Sequence, residues 1–190
     1  MRTFIAIELP KEVRDALDKL EQQLKSAQAD VKWLAPENIH LTLKFLGEID
    51  DKKSDSIIKI VNEVAANQKS FQARISSIGA FPKINSPRVI WAGIDKGDEE
   101  TRKIALELEN LIAKLGIPKE DRPFSSHITI GRTRSAINRE RLVQELSKLN
   151  GQLTQENLEF SVKKVTLYKS TLTPQGPIYE ILNEAHLKTT

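Results

Sequence analysis

A four-residue pattern capable of acid–base chemistry occurs twice in this chain. Residues 40 to 43 read His-Leu-Thr-Leu and residues 127 to 130 read His-Ile-Thr-Ile. The chain has three histidines, so two of them open the same tetrad. The alternation of polar and apolar residues predicts a β-strand at each copy, with His and Thr on one face and the apolar pair on the other. Two such strands brought together would place two imidazoles and two hydroxyls around one small site.

These side chains suit phosphodiester chemistry without a metal ion. Hydrolysis needs a base for the nucleophile, an acid for the leaving oxygen and donors for the non-bridging oxygens. His40 and His127 can act as base and acid near neutral pH. The hydroxyls of Thr42 and Thr129 can donate to phosphoryl oxygens. We expect no metal and no cofactor, because no carboxylate accompanies either tetrad at ligand spacing and the third histidine, His186, lies in a polar segment.

Arg132 and Lys44 are candidate cationic contacts to the phosphate. Arg132 could add a charge-assisted hydrogen bond, but strict alternation places it on the face opposite His127. A twist or break at Gly131 would bring it back. Lys44 shares a face with the polar pair of the first tetrad, so we expect it either to contact phosphate or to be solvated.

An RNA base would need an aromatic ring on which to stack. Phe81 lies in residues 80 to 87, a segment that is predicted to be a loop joining the two halves of the chain. Phe81 is therefore a candidate base contact, and Trp33 is another. Phe45 and Trp91 align with apolar residues of their strands, so the alternation predicts that both belong to the core.

The tetrads lie inside a longer internal repeat. Each half reads strand, helix, strand, helix, strand, and corresponding strands start at positions 2 and 88, 40 and 127, and 71 and 158. The predicted elements are 2–8, 11–27, 40–46, 53–67 and 71–78 in the first half, and 88–94, 99–115, 127–133, 138–149 and 158–168 in the second. A phase slip at Lys163 and Lys164 predicts a β-bulge, and 178–182 is a further predicted strand.

This pattern predicts an α+β fold in a single domain spanning residues 1–190. Neither repeat, 2–78 or 88–168, has enough apolar residues to form a core alone, so we expect two pseudo-symmetric lobes packed side by side. Each lobe would contain an antiparallel sheet with helices on its outer face. The polar faces of the tetrad strands would then line an active-site cleft between the lobes, and such a protein needs no protein partner, so we expect a monomer.

The composition excludes several classes of protein. The 190 residues contain no cysteine, which rules out disulfides, thiolate catalysis and cysteine-bound zinc. A net charge of +3 is compatible with a nucleic-acid partner without requiring one. No apolar run approaches the roughly 20 residues needed to span a membrane, and the N-terminus does not have the pattern of a signal peptide. We therefore expect a cytoplasmic protein.

The paired tetrads and their flanking residues resemble a known family. The segments Phe-Ile-Ala-Ile at 4–7, His-Leu-Thr-Leu-Lys-Phe-Leu-Gly at 40–47 and His-Ile-Thr-Ile-Gly-Arg at 127–132 are similar to those of the 2H phosphoesterase superfamily. The resemblance is greatest to the RNA 2′,3′-cyclic phosphodiesterases, also called 2′-5′ RNA ligase-like (LigT/ThpR-type) proteins. It covers nearly the whole chain. One departure is Ser126, where relatives often carry proline.

The resemblance implies a bilobal fold and metal-independent opening of a 2′,3′-cyclic phosphate at an RNA end, which leaves a 2′-phosphate. It implies that His40 is the acid that protonates the departing 3′ oxygen and that His127 is the base that activates water. Thr42 and Thr129 would hold phosphate oxygens. Arg132 matches the arginine that the family carries five residues after its second histidine.

The sequence leaves three other functions open. The same site could act in the reverse direction as a ligase, with a 5′-hydroxyl in place of water as the nucleophile. Such an enzyme would join a cyclic phosphate end to a 5′-hydroxyl end. A binding module would recognise RNA ends or nucleotides without turning them over. A small-molecule phosphoesterase would act on cyclic nucleotides with little dependence on RNA length.

Overall fold

The computed structural model describes residues 1–153 and 158–189, and this part of the chain forms nine strands and four helices. The strands are β1 Arg2–Glu8, β2 Val31–Trp33, β3 His40–Glu48, β4 Phe71–Lys83, β5 Ser86–Ile94, β6 His127–Thr133, β7 Leu158–Val162, β8 Lys164–Thr173 and β9 Gly176–His186. The helices are α1 Lys11–Lys25, α2 Asp51–Asn67, α3 Asp98–Ala113 and α4 Arg139–Leu153.

The strands form two antiparallel sheets, which confirms the predicted α+β class. The first sheet has the order β3-β1-β8-β9 and the second has the order β2-β6-β5-β4-β7. Helices α2 and α3 pack against strands of the first sheet, and α4 packs against strands of the second. The first tetrad therefore belongs to one sheet and the second tetrad to the other.

Each sheet takes strands from both halves of the chain. In the first sheet β1 and β3 are joined by β8 from the second half, and in the second sheet β5 and β6 are joined by β4 from the first half. Helix α1 likewise packs on α4 and β7, and α3 packs on β3. A repeat does not fill its own sheet, so neither half can complete its pairing without the other.

Two predicted elements differ from the structure because of this exchange. The predicted strand 158–168 is two strands, since the chain leaves the second sheet after Val162 and enters the first at Lys164. The phase slip at Lys163 thus marks a crossing between sheets, and the prediction of a bulge there is wrong. Segment 80–87 is also not a loop, because β4 and β5 extend through most of it as a hairpin.

The helices form where apolar residues recur at helical spacing. In α1 the buried stripe includes Val13, Leu17 and Leu24, and in α3 it includes Ile104 and Leu108. These stripes pack with the inner faces of both sheets into one continuous apolar core. In the described part of the chain, no helix is both long and apolar enough to cross a membrane.

Helix α2 begins at a side-chain cap, and α4 runs past its predicted end. The carboxylate of Asp50 accepts a hydrogen bond of 2.7 Å from the backbone N–H of Lys53, which satisfies a free donor at the first turn of α2. The sequence predicts that α4 ends before Gly151, but the helix continues through this residue to Leu153, whose side chain is buried. The packing of Leu153 in the core outweighs the weak helix propensity of glycine.

A second, smaller apolar cluster lies apart from the main core. It contains Phe4, Ala6 and Tyr168, with Tyr179 packed against it. Phe4 is also in ring contact with His40, so this cluster lies on the face of the first sheet that carries the first tetrad. We call it the aromatic cluster.

Candidate active site

The two tetrads begin at equivalent points of the fold. His40 is the first residue of β3 and His127 is the first residue of β6, and these two strands contact each other where the sheets meet. In each tetrad the His and the Thr are half-buried and the two apolar residues are buried. Within each tetrad, the expected division into a polar and an apolar face is therefore what the structure has.

Both imidazoles are held by the same backbone contact. Nδ1 of His40 lies 2.7 Å from the carbonyl oxygen of Asn38, and Nδ1 of His127 lies 2.8 Å from that of Ser125. A carbonyl oxygen only accepts, so each Nδ1 must carry the hydrogen and donate it. In the neutral imidazole Nε2 then has the free lone pair, which is the atom available for proton transfer.

Aromatic rings enclose His40. The ring of Phe4 stacks on the imidazole with centroids 4.7 Å apart, and Tyr179 meets it edge-on at 5.4 Å. This burial lowers the pKa of His40, because charge on the imidazole is costly away from water. The carbonyl oxygen of Asn38 has the opposite effect and raises the pKa of His40, because it accepts a hydrogen bond from the protonated imidazole.

His127 has a similar but less enclosed environment. Phe81 meets its imidazole edge-on with centroids 5.0 Å apart, and Trp91 lies beside Phe81 at 5.2 Å. Burial lowers the pKa of His127, the carbonyl of Ser125 raises it, and the positive charge of Arg132 lowers it further. Phe81 is thus next to the second histidine as a residue of β4 and not of a loop.

A β-bulge places Arg132 on the same face as His127. Ile130 is an extra residue in the pairing of β6 with β5, since its neighbours on either side pair with successive residues of β5. Such a residue shifts the alternation by one position. Ile130 and Gly131 are consequently both buried, and Arg132 is exposed. The break that the sequence suggested near Gly131 lies one residue earlier.

Arg132 connects the surroundings of the two histidines. Burial raises the pKa of Tyr179, and the positive charges of Arg2 and Arg132 act against that rise. Tyr179 touches His40, whereas the charge of Arg132 also acts on His127. The guanidinium therefore lies within electrostatic reach of both sides of the junction between the sheets.

The corresponding bulge at Leu43 changes two predictions for β3. Leu43 has no counterpart in the pairing of β3 with β1, so the next residues exchange faces. Lys44 is only 2% exposed and does not share a face with the tetrad histidine, so the orientation expected for it is wrong. Phe45, expected in the core, is 55% exposed and lies 6.3 Å from Phe4 between ring centroids.

Lys44 is instead tied to α3 and the segment that follows it. Its Nζ lies 2.9 Å from the carboxylate of Glu109 and 3.8 Å from that of Glu120. It also donates a hydrogen bond of 2.8 Å to the carbonyl oxygen of Pro118. We therefore assign Lys44 to the support of β3 and not to the substrate.

Three exposed cations follow the edge of the second sheet next to the site. Lys32 on β2 pairs directly with Arg132 on β6, so both side chains lie on the same face of the sheet. The backbone N–H of Arg134 donates to the carbonyl of Asp30 at 2.8 Å, which continues this pairing by two residues. Within residues 1–153 and 158–189, none of the three cations forms an ion pair with a carboxylate. We call Lys32, Arg132 and Arg134 the cationic row.

Sequence reasoning missed two aromatic residues of this site. Tyr179 has no motif around it and reaches His40 only because β9 is in the same sheet. The prediction that Trp91 belongs to the core is wrong, since Ile90 and Ala92 are fully buried on the opposite face of its strand. The sequence alone could have predicted this, because Trp91 lies between two apolar residues and must face the side of the strand opposite to theirs. The indole Nε1 of Trp91 is buried with no hydrogen-bond partner among the described residues.

The chemistry of the site is that of proton transfer and anion binding. Its polar groups are two imidazoles, two hydroxyls and a guanidinium. In the part of the chain that the structure describes, no three His, Asp or Glu side chains converge in a way that could hold a metal ion. An anionic ester placed at the junction would meet acid–base groups from both sheets.

The chain matches one family of phosphoesterases over most of its length. A family model described as LigT like phosphoesterase matches residues 7–91 and again residues 94–179. The RNA 2′,3′-cyclic phosphodiesterase of Methanocaldococcus jannaschii is 35% identical over 97% of this chain and 99% of its own length. The protein of the same name from Aquifex aeolicus is 33% identical over 98% and 97%.

Solved structures of similar proteins have the same fold. The crystal structure of TT0787 of Thermus thermophilus superposes with a TM-score of 0.80, at 28% identity, over 98% of each chain. That of E. coli LigT complexed with 3′-AMP has a TM-score of 0.78 at 26% identity, over 98% of this chain and 97% of its own. The predicted family is therefore confirmed, and the chain belongs to the LigT-like phosphoesterases.

Proposed function

We propose that this protein hydrolyses RNA ends that carry a 2′,3′-cyclic phosphate, leaves a 2′-phosphate, and does so without a metal ion. His127 is the general base and His40 is the general acid. Thr42 and Thr129 donate to the non-bridging oxygens of the phosphate, and Arg132 neutralises part of their charge. The observation that carries this proposal is the shared contact of the two imidazoles, each held through Nδ1 with Nε2 left for the reacting atoms.

The reaction proceeds by one displacement at phosphorus. Nε2 of neutral His127 takes a proton from water while the water oxygen forms a bond to phosphorus. The bond from phosphorus to the 3′ oxygen breaks, and Nε2–H of protonated His40 gives its proton to that oxygen. One proton has entered the site on His127 and one has left on His40, so proton exchange with solvent restores the starting state.

Two observations support RNA as the substrate. The relatives named above carry the name RNA 2′,3′-cyclic phosphodiesterase. The cationic row places two like charges, Lys32 and Arg132, directly opposite each other, an arrangement that destabilises a sheet. A polyanion bound along that edge would offset the repulsion, which favours an oligonucleotide over a cyclic mononucleotide.

The test is incubation of a short RNA ending in a 2′,3′-cyclic phosphate with the protein in EDTA. We expect the terminal product to be a 2′-phosphate. A 3′-phosphate would reverse the leaving oxygen, and loss of activity in EDTA would contradict the metal-free mechanism. Unchanged RNA would favour a binding module. A 5′-hydroxyl RNA added to the same reaction would form a joined product if the site acts as a ligase.

Replacement of either tetrad histidine should abolish most of the activity. We expect His40→Ala and His127→Ala each to lower kcat by roughly 10²- to 10⁴-fold, the usual worth of a positioned acid or base. His186→Ala is the matched control, since the third histidine is outside both tetrads, and should retain full activity. A loss of less than tenfold in His127→Ala, with the variant folded by circular dichroism, would rule out its role as base.

A further inference from the structure

The ring that contacts the second tetrad histidine comes from a strand that is not its neighbour. Phe81 lies on β4, and β5 separates β4 from β6 in the second sheet. The ring of Phe81 nevertheless meets the imidazole of His127 with centroids 5.0 Å apart. The first histidine has a simpler arrangement, since Phe4, which stacks on His40, belongs to the adjacent strand β1. Phe81 must therefore cross β5 to reach His127.

Trp91 of β5 lies beside the ring of Phe81. The two rings have centroids 5.2 Å apart and an interplanar angle of 37°. In the pairing of β5 with β6, Trp91 is directly opposite Thr129 of the second tetrad. Its strand neighbours Ile90 and Ala92 are fully buried on the other face. The indole is therefore on the face of the sheet that carries the site, in contact with Phe81 and next to the second tetrad.

Two glycines allow the indole to lie against the sheet. A methyl group added at Gly79, which is opposite Trp91 on β4, would be 2.6 Å from Cζ2 and Cη2 of the indole. One added at Gly93 would be 3.0 Å from Cζ3 of the same ring and 2.5 Å from the hydroxyl oxygen of Ser77. Contacts this close are essentially never found, so a side chain at either position would displace the indole or its neighbours. The six-membered ring thus occupies the space that two absent side chains leave.

This arrangement restrains the imidazole of His127 at a second point. Its Nδ1 is held by the carbonyl oxygen of Ser125, and a single hydrogen bond leaves the ring some freedom to rotate. The contact with Phe81 limits that rotation, and the contact of Phe81 with Trp91 fixes the place of Phe81. A general base must lie within hydrogen-bond reach of the proton that it removes, so the direction of Nε2 affects the rate of the chemical step.

We infer that Trp91 is a positioning residue of this site, which holds Phe81 against His127 and thereby directs Nε2 of the imidazole at the attacking water. The inference rests on the proposed function, in which His127 is the base, and adds to it a residue that acts only through its neighbour. It also gives Phe81 a role different from the base contact that the sequence predicts. A base contact would act on substrate binding, whereas a positioning contact acts on the chemical step.

Removal of the indole should lower kcat and leave KM nearly unchanged. In Trp91→Leu we expect kcat for a 2′,3′-cyclic phosphate to fall roughly 10-fold to 10²-fold, the effect of a small misplacement of a reacting group, with KM changed by less than about threefold. Trp91→Phe keeps an aromatic ring next to Phe81 and should recover most of the loss. An unchanged kcat in Trp91→Leu would overturn the inference. A rise of KM alone would also overturn it, because the rings would then bind the substrate.

Double variants test the order of the contacts. If Trp91 acts through Phe81, then Phe81→Leu and the double variant Phe81→Leu/Trp91→Leu should have the same kcat, because the first change already removes the contact with His127. Losses that multiply in the double variant would show that the two residues act independently and would contradict the inference.

Gly79→Ala tests the support of the indole without changing any aromatic ring. Its methyl group would displace Trp91, so we expect kcat to fall about fivefold or more, with no further fall when the change is combined with Trp91→Leu. Gly151→Ala is the matched control and should keep the wild-type kcat, because a methyl group there meets no atom within 4 Å among the described residues. Equal kcat values in the two alanine variants, with both folded by circular dichroism, would contradict the inference. If Gly79→Ala does not fold, the comparison of Trp91→Leu with Trp91→Phe decides.

A spectroscopic measurement separates this inference from the proposed function. Burial lowers the pKa of His127 from 6.5, and so does the charge of Arg132, which the variants leave in place. In Trp91→Leu the pKa of His127, measured by NMR titration, should rise toward 6.5 because water reaches the imidazole, whereas the pKa of His40 should not change. This result in a protein that hydrolyses no cyclic phosphate would retain the positioning and reject the proposed function. Hydrolysis by the wild type, with kcat and both pKa values unchanged in Trp91→Leu, would do the reverse.

Discussion

At the scale of single residues, each candidate catalytic histidine is oriented by a hydrogen bond to the backbone carbonyl two positions before it. The contacts of His40 with Asn38 and of His127 with Ser125 fix one tautomer, so both imidazoles present the same nitrogen to the site. Burial has the second effect, since it lowers the pKa of both groups from the ordinary value of 6.5. The free protein at neutral pH therefore holds two mainly neutral imidazoles, and a bound phosphate monoanion favours protonation of the acid.

The lowered pKa values predict the pH dependence of the reaction. The profile of kcat/KM reports the free protein, in which the rate rises as His127 loses its proton and falls as His40 loses its own. Both of these pKa values lie below 6.5, so we expect a bell-shaped profile with its maximum below about pH 6.5. The maximum of kcat should lie at higher pH, because the bound anion raises both. A kcat/KM profile that peaks above pH 7 would contradict this interpretation.

Glu21 is a further residue whose burial has a measurable consequence. Its side chain lies on the buried face of α1, is 1% exposed and has an oxygen without a hydrogen-bond partner in the described chain. Burial raises the pKa of Glu21 from 4.5 to about 8, and the positive charge of Lys25 only partly opposes the rise. Between these two values the native state binds a proton that the unfolded chain does not, so stability falls as pH rises through that window.

Glu21→Gln should therefore stabilise the protein in a pH-dependent way. At pH 7 we expect the free energy of unfolding to rise by on the order of 3 kcal/mol relative to the wild type, because the neutral amide removes the cost of ionisation. At pH 4.5 the gain should vanish. Urea unfolding at both values measures the difference, and Glu12→Gln on the exposed face of α1 is the control. An equal gain at both pH values would show that ionisation of Glu21 is not the cause.

At the scale of elements, the two bulges explain where sequence reasoning stopped. The tetrads, their strands and the helices around them could be predicted, because hydrophobic period and the His-x-Thr repeat are local signals. A bulge is set by pairing with a neighbouring strand, and alternation continued through Leu43 and Ile130 assigns the wrong faces beyond them. For this reason the predicted faces of Lys44 and Phe45 were wrong. Strict alternation likewise placed Arg132 on the face opposite His127, and only the bulge at Ile130 returns it to the face of His127.

The first bulge gives β3 a buried anchor on α3. Lys44 points away from the site and pairs with Glu109, whose side chain is 17% exposed. Its counterpart after the second bulge is Gly131, where a side chain would collide with Trp33. The two tetrads thus have the same polar side chains on one face. On the opposite face the strand of the first tetrad is supported by an ion pair, and that of the second by an aromatic ring.

Loss of the Lys44 anchor should destabilise the fold. In Lys44→Met the carboxylate of Glu109 remains largely buried without its partner, and we expect a loss of roughly 3 kcal/mol in the free energy of unfolding. Glu109→Gln should lose stability too, and the double variant should lose less than the sum of the two, with a coupling of roughly 0.5–3 kcal/mol. Chemical denaturation of all four proteins measures the cycle. Strictly additive losses would show that the two groups do not stabilise each other.

At the scale of the whole molecule, the exchange of strands between halves brings the tetrads together. The family model matches twice, at starts 87 residues apart, as do the tetrad histidines at positions 40 and 127. We propose that the chain is a duplicated unit whose third strand pairs in the opposite sheet. The crossing between the sheets at Lys163 could not be predicted from local sequence patterns. A chain that passes directly from one sheet into the other has the same hydrophobic pattern as a single strand with a one-residue shift in its alternation.

The same assembly gives the molecule an edge that suits an RNA backbone. β2 comes from the first half and β6 from the second, and their pairing sets Lys32 beside Arg132, with Arg134 directly after the end of β6. Each cation that neutralises a phosphate of a single strand releases counterions and steepens the salt dependence by about 0.7 in the logarithmic slope. Binding of an RNA chain should therefore depend on salt more steeply than binding of a mononucleotide.

Lys32→Gln and Arg134→Gln should each reduce the slope of log Kd against log salt by about 0.7 for a short RNA ending in a 2′-phosphate, because each removes one phosphate contact. The slope for a nucleoside 2′-monophosphate should not change, since that ligand does not reach the row beyond Arg132. Lys59→Gln, an exposed cation on α2 at the outer face of the first sheet, is the matched control. An equal change of slope in the control would show that the cationic row acts only through the net charge of the protein and not through contacts with phosphates. No change in either variant would mean that the RNA leaves the site in another direction, and the preference for an oligonucleotide would then lose its physical basis.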